Sequence, residues 1–220
     1  MVSTSAPTRP APARARRRSG WPAVTGLLLL SALPILGGAQ RLGELGTDPA
    51  SAPSAALAGV IVAHIVGMSL YCLLGAFQFS PALRGRRAWH RRAGRVLIAA
   101  GMVGALASIA LAVFFSGPDD EFALAIVRIA FAVPMLAFLV LATAAIARRS
   151  FVAHGAWMTR AYAIAVTGGT QALVLITWSV LGGETGVVSE TWLVGVGFVI
   201  NSLVAEGIIR RRARRDVRRG

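Results

Sequence analysis

Six long apolar runs limit the possible folds of this chain more than any other feature of its sequence. They extend over residues 21–39, 55–79, 96–116, 122–147, 161–181 and 191–209. Each run approaches or exceeds the roughly 20 residues that a helix needs to cross about 30 Å of hydrocarbon. The runs lack the alternation of apolar and polar residues that marks membrane strands, and they are too long for such strands. The sequence therefore predicts an all-α polytopic membrane protein with six transmembrane helices, which together form one domain over residues 21–209.

The position of the basic residues argues against a nucleic-acid partner. The chain has 220 residues, of which 55% are hydrophobic, and a formal net charge of +14. Its arginines cluster at the ends of apolar runs, where charge sets membrane orientation, and not on a polar surface that would hold phosphates. The single cysteine, Cys72, lies inside an apolar run and excludes an intrachain disulfide. We expect the bilayer and its anionic lipids to be the partners of the basic segments.

Charged residues alternate in sign from one connection to the next. Arginines fill the N-terminal stretch, the segments 84–95 and 148–160, and the stretch 210–220. The remaining connections carry the acidic residues Glu44, Asp48, Asp119, Asp120, Glu121, Glu184 and Glu190. The positive-inside rule then predicts that both termini are cytoplasmic, together with two cytoplasmic loops at 84–95 and 148–160.

The two ends of the chain are predicted to be polar tails. Residues 1–20 are rich in Pro, Ala, Ser and Arg and show no apolar periodicity, which predicts a disordered basic tail. Residues 210–220 are predicted to form a basic cytoplasmic tail. Arginines before the first run are typical of both signal peptides and signal anchors, and Gly37 to Ala39 offers a small-residue cleavage site. The length of the run favours an uncleaved first helix, although cleavage stays an open alternative.

Polar residues inside the hydrocarbon are costly and therefore mark candidate sites. At about 1.5 Å of rise per residue, His64 on the second helix and Arg128 on the fourth lie at a similar depth, roughly 10 Å below the outer boundary. The two side chains can therefore line one cavity.

A second candidate site is predicted near the inner boundary. Glu206 lies about one turn from that boundary, close in depth to His90, Arg95, His154 and Arg160. Arginines and helix N-termini at this level would favour an anionic group. The alternative is structural, with Glu206 serving only as the counter-ion of Arg95 or Arg160.

These segments resemble those of a known family. The resemblance rests on His64, Gly75, Gln78, Phe79, Arg84, His90, Arg91, Gly94, Arg95, Val96, His154, Trp157, Met158, Arg160, Ala161, Tyr162, Trp192, Asn201 and Glu206. In these residues the chain is similar to the bacterial predicted-membrane-protein family called domain of unknown function 2306. The chain departs from the family at Gly155 and near Gln171, where basic residues are usual, which weakens an anion-binding role inferred from the family. The resemblance implies the cytoplasmic membrane of a bacterial cell and no particular activity.

Three functions stay open at the level of sequence. The first is binding or transport of a small anion, a lipid headgroup or a proton by the His, Arg and Glu residues. The second is a membrane redox protein with haem b, for which His90 and His154 are the ligand candidates because they match in depth on different helices. The third is a non-catalytic assembly or envelope-structure protein. Enzyme activity is not favoured, since the chain has no Gly-x-Ser-x-Gly elbow and no paired carboxylates within the membrane.

Overall fold

The computed structural model describes residues 20–48, 54–114, 122–184 and 186–218, and over those residues it is helical without strands. Within this part of the chain the helices are α1 (Trp21–Thr47), α2 (Ala55–Gln78), α3 (Pro81–Arg84), α4 (Arg87–Phe114), α5 (Phe122–Ala147), α6 (Phe151–Ala165), α7 (Thr167–Val180) and α8 (Val187–Val217). Six segments of the described chain are long and apolar enough to cross a membrane, with α6 and α7 counted as one. The prediction of an all-α protein with six membrane-spanning helices is confirmed.

The outer surface of the bundle is apolar. Large side chains such as Leu29, Leu106, Val140 and Leu203 are exposed on it. Helices satisfy their own backbone N–H and C=O groups, so a bundle of this kind can present apolar side chains to lipid at every point around it. The exposed leucines and valines therefore mark the surface that faces the acyl chains.

Small residues bring α2 and α4 together in the most extensive contact between helices. A Cβ atom on Gly67 would lie 2.9 Å from the carbonyl oxygen of Ala100 and 2.9 Å from the amide nitrogen of Gly104. The space beside Gly101 is filled by the ring of Tyr71. In lipid, helices associate by close packing rather than by the hydrophobic effect, and small residues permit that approach.

The core lies where α2, α4, α5 and α6 meet. Tyr71, Leu97, Leu139 and Tyr162 are all at most 4% exposed there. The Tyr162 hydroxyl donates a hydrogen bond of 2.8 Å to the backbone carbonyl of Cys72. This bond connects α6 to α2, and it satisfies the polar end of an otherwise apolar side chain.

The fifth span is broken at Val166, between α6 and α7. The carbonyl oxygen of Ala163 accepts hydrogen bonds from the Asn201 side-chain amide at 3.1 Å and from the Thr167 hydroxyl at 2.9 Å. The Asn201 side-chain oxygen accepts a further bond of 2.9 Å from the Thr170 hydroxyl. Breaks in membrane helices persist where neighbouring side chains satisfy the backbone. Asn201, on α8, is the side chain that does so here.

The basic segments gather at one end of the bundle, which we call the basic end. Gly20, before α1, is in close contact with Pro81 at the start of α3, and Arg160 in the second half of α6 pairs with Glu206 on α8. Residues 84–95 and 148–160 lie at this same end, because each follows a helix that runs toward it. The opposite end, which carries Glu44, Glu184 and Glu190, is the acidic end.

The prediction that the two basic segments are loops was wrong for most of their residues. His90 and Arg95 lie within α4, and His154 and Arg160 lie within α6. Arginine and alanine have high helix propensity, and long arginine side chains can reach water from a helix surface, so these helices continue past the apolar run. The actual links are α3 with its flanking residues and a tight turn at 148–150, where Arg149 has a φ of 57°.

The predicted tails are described only in part. Residues 1–19 of the N-terminal tail and the acidic residues 119–121 lie outside the described residues. At the other end, α8 continues as a helix through the basic stretch to Val217. Gly37 to Ala39, the candidate cleavage site, lie inside α1.

Candidate functional site

A cavity of about 610 Å³ lies among α1, α2, α4, α5, α8 and the break between α6 and α7. This volume is within the roughly 300–1,000 Å³ of small-molecule sites. Its walls are mostly apolar. The polar and charged residues that line it are His64, Ser69, Ser108, Arg128, Thr167, Gln171 and Glu190. An apolar cavity with a few polar groups is typical of a binding site for a small organic molecule.

The His64 imidazole has a fixed orientation in this cavity. Its Nδ1 lies 3.2 Å from the backbone carbonyl oxygen of Gly104 on α4. Because a carbonyl oxygen only accepts hydrogen bonds, Nδ1 must carry the hydrogen. In the neutral imidazole, Nε2 then keeps its lone pair and is the nitrogen free to interact with a ligand or water.

Arg128 extends from α5 to the same cavity. It is exposed, and it lies close enough to His64 for the two side chains to interact electrostatically. Across the described ranges it forms no hydrogen bond or ion pair with another side chain. A guanidinium group at membrane depth without a partner is costly, so residues of this kind usually mark a functional site.

Glu190 brings a carboxylate to the cavity from the first turn of α8. No ion pair joins it to an arginine within the described part of the chain. Next to it, the Gln171 side-chain amide donates a bond of 3.2 Å to the carbonyl oxygen of Val194, which holds α7 against α8. The cavity therefore contains a cation, a carboxylate and an imidazole, and neither charge is neutralised by the other.

At the basic end, Arg160 and Glu206 form a salt bridge. The Arg160 Nε donates to Glu206 Oε1 at 2.5 Å and its Nη2 donates to Oε2 at 3.1 Å. The Arg160 guanidinium also lies 4.6 Å from the centre of the Trp157 ring. Of the two arginines considered as partners for Glu206, the structure therefore selects Arg160.

The other residues of the predicted inner cluster do not join this pair. Arg95 is exposed and forms no ion pair with a carboxylate of the described residues. His154 lies on α6, and its Nδ1 is 3.0 Å from the carbonyl oxygen of Ala142. The buried Nδ1 of His90 has no hydrogen-bond partner in the described chain. Haem ligation by these two histidines stays a prediction, and neither histidine lines the cavity that contains His64.

Comparison with known proteins identifies a family. The sequence model of the family Predicted membrane protein (DUF2306) matches residues 61–209. The chain belongs to this family. No curated protein and no solved structure matches the chain.

The DUF2306 match extends from within α2 to most of α8 and leaves α1 outside. His64, Arg128 and Glu190 all lie within it, whereas Pro34, Ile35 and Gly38, which line the cavity from α1, do not. The charged part of the cavity therefore belongs to the family segment, and one apolar wall comes from residues before it.

Sequence reasoning missed two features of this DUF2306 protein. Glu190 counted only as an acidic connection residue, because it follows the last polar link and precedes the apolar run. The burial of Tyr71 could not be predicted, because this residue lies inside a run that is apolar on all sides. The omission of Tyr71 arises because the rotation of a helix about its axis cannot be read where every face is apolar.

Proposed function

We propose that this membrane protein binds an anionic amphiphile, a molecule with a carboxylate or phosphate group and an apolar chain, in the cavity that His64 and Arg128 line. The observation that carries the proposal is Arg128, an arginine at membrane depth with no partner among the described side chains. Planar guanidinium groups bind carboxylates and phosphates through two parallel hydrogen bonds. A bound anion at this position supplies the negative charge that no described side chain provides for Arg128.

The remaining walls fit the rest of such a molecule. Ile65, Met135, Leu175 and Phe198 line the cavity beside the polar groups. An apolar chain in contact with them is removed from water, while its anionic group stays at the level of Arg128. His64 adds a hydrogen-bond acceptor at Nε2 when neutral and a second positive charge when protonated.

The basic end offers less support for an anion site. Arg160, the arginine predicted to face an anion there, already has the carboxylate of Glu206 and the ring of Trp157. The exposed arginines of α4 and α8 remain suited to anionic lipid headgroups at the membrane surface. We therefore assign surface contact with anionic lipids to the basic end and specific binding to the cavity.

The test is binding of a fluorescent long-chain fatty acid to the protein in a neutral detergent. Arg128→Gln should weaken binding by about 1.5–3 kcal/mol, the contribution of a hydrogen bond to a charged group, or roughly 10- to 150-fold in Kd. The matched control is Arg95→Gln, which removes an exposed arginine outside the cavity and should bind as the parent does. Inorganic phosphate and acetate, added as competitors, distinguish a free anion from an amphiphile. Equal binding by the parent and Arg128→Gln, or equal binding of the fatty acid and its uncharged alcohol, contradicts the proposal.

Substitution of Glu190 tests which charges the ligand carries. If the ligand carries an anionic group alone, Glu190→Gln removes a like charge from the cavity and the fatty acid should bind more tightly. If the natural ligand also carries an amine, the same variant should weaken binding of a zwitterionic lysophospholipid while strengthening that of the fatty acid. Unchanged affinity for both probes would show that Glu190 does not face the ligand.

A further inference from the structure

Three polar residues follow one another along a single face of α2. His64, Tyr71 and Gln78 are separated by seven residues each, which is close to two full turns, so their side chains lie on the same side of the helix. Each interval corresponds to about 10 Å along the helix axis. The line therefore extends for about 20 Å, from the cavity to the basic end.

This face of α2 is packed against α4. His64 bonds to the carbonyl of Gly104, and the Tyr71 ring contacts Gly101. The two helices run in opposite directions, so each turn forward on α2 corresponds to about one turn backward on α4. By the same register, Gln78 lies level with the first turns of α4, where His90 is found.

Several polar atoms on α2, on α4 and in the link that follows α2 are buried and have no hydrogen-bond partner within the described part of the chain. They are the Tyr71 hydroxyl, both side-chain amide atoms of Gln78, the Ser80 hydroxyl and His90 Nδ1. Tyr71 and Ser80 are completely buried. An unsatisfied buried polar group costs about 1–3 kcal/mol, and native proteins usually satisfy such groups with ordered water. The unpartnered atoms follow one another from Tyr71 toward the basic end. Water at these positions, with further water molecules in each interval of about 10 Å, would connect them into a line.

We propose that this line is a proton path between the cavity and the basic end. A proton enters at His64, which takes it on Nε2 while its Nδ1–H stays bonded to the carbonyl of Gly104. Nε2 then releases this proton to water between His64 and Tyr71. The Tyr71 hydroxyl accepts a proton from the water on one side while releasing its own to the water on the other, so the tyrosine is unchanged after each transfer. Gln78 and Ser80 hold the next waters in place without exchanging charge themselves. His90 takes up a proton at one ring nitrogen and releases the hydrogen of the other nitrogen at the basic end, and its tautomer then resets before the next transfer.

The charged groups at each end suit these roles. Arg128 faces His64 from α5, and a bound anion at Arg128 would add a negative charge beside the proton acceptor. At the other end, His154 on α6 and Arg84 at the end of α3 face His90. The fixed positive charge of Arg84 favours release of the proton from His90, because positive charges repel one another. The driving force is a proton gradient across the membrane.

Proton movement is tested with the full chain in vesicles of neutral lipid that contain a pH-sensitive dye. Valinomycin and potassium hold the membrane potential at zero, and an imposed pH difference drives the flux. We expect the parent to dissipate the gradient faster than protein-free vesicles, and Tyr71→Phe to lose this protein-dependent flux. The Tyr71 hydroxyl bonds to no described group, so its removal should leave thermal stability close to that of the parent.

Tyr162→Phe is the matched control. It also removes a buried tyrosine hydroxyl, from a ring whose centre is 5.9 Å from that of Tyr71, but this hydroxyl is already bonded to Cys72. Tyr162→Phe should therefore keep the flux. Gln78→Leu is a second variant that should abolish the flux, and it provides the test if Tyr71→Phe does not fold.

Two results would each overturn the proposal. In the first, vesicles with the parent protein lose the pH gradient no faster than protein-free vesicles. In the second, the Tyr71→Phe and Gln78→Leu variants conduct protons as the parent does. Failure of the anion proposal would be seen separately, because fatty-acid binding is measured in detergent without a gradient. A protein that binds the fatty acid but conducts no protons keeps the first proposal and loses this one.

Discussion

Two arginines in neighbouring spans differ in whether the described chain neutralises their charge. Arg160 donates two hydrogen bonds to the carboxylate of Glu206, and its guanidinium lies over the ring of Trp157. Its charge is therefore compensated within the protein. Arg128 has none of these among the described residues and opens onto a cavity. The first arrangement stabilises the contact between α6 and α8, whereas the second leaves charge available for a ligand.

The Arg160–Glu206 pair leads to a prediction on stability. Glu206→Gln should lower the free energy of unfolding in detergent by about 1 kcal/mol, near the upper limit for a partly exposed pair, because Arg160 loses its counter-ion. Adding Arg160→Ala to Glu206→Gln should then cost less than Arg160→Ala costs alone, since the interaction is already absent. The control cycle combines Glu206→Gln with Arg95→Ala, and there the two losses should add. Thermal unfolding of the five variants and the parent measures both cycles, and additive losses for Arg160 would contradict an energetic role for the pair.

At the scale of whole helices, apolar length determined most of what the sequence could predict. The number of spans followed from runs of about 20 apolar residues, and counting about 1.5 Å per residue placed His64 and Arg128 at a shared depth. The break at Val166 could not be predicted, because no proline marks it and the side chain that stabilises it, Asn201, belongs to another helix. The helical state of the segments around His90 and His154 was missed for a related reason, since hydropathy locates the hydrocarbon and not the end of a helix.

Contact between α1 and α7 depends on Gly169, at the start of α7. A Cβ atom there would overlap the backbone carbonyl of Leu30 on α1. Gly169→Ala should therefore push α1 away and destabilise the protein by about 1–3 kcal/mol, as overpacking of a tight contact does. Because Pro34 and Gly168 line the cavity beside this contact, fatty-acid binding should weaken in the same variant.

Gly26→Ala is the control for that substitution. It places the same methyl group on α1 at a position with no atom within 4 Å, so we expect stability equal to or slightly above that of the parent. Melting temperatures of both variants in detergent test the comparison. Equal melting temperatures for Gly169→Ala and the parent would mean that α1 is not held against α7 in the way the structure shows.

For the molecule as a whole, charge separates the two ends of the bundle. The basic end carries the arginines of α3, α4, α6 and α8, whereas Glu44, Glu184 and Glu190 lie toward the acidic end. A proton path between these ends would have a direction in the cell, and so would access to the cavity, which contains Glu190 and therefore lies nearer the acidic end. Orientation in the membrane would thus decide from which side the proposed ligand reaches Arg128.

The arginine distribution predicts that orientation. Arginine-rich connections are retained in the cytoplasm during insertion, whereas short acidic connections are translocated, so both termini and the basic end should be cytoplasmic. A reporter that is active only in the cytoplasm should be active when fused after Arg219 or inserted at residues 86–88, and inactive when inserted near Asp119. The control replaces Arg84, Arg86 and Arg87 together by Gln, which weakens the local signal but leaves the arginines of α8, so the reporter after Arg219 should keep its activity. Opposite readings at two of the three positions in the parent would reverse or break the six-span topology, and the cavity would then open toward the other side of the membrane.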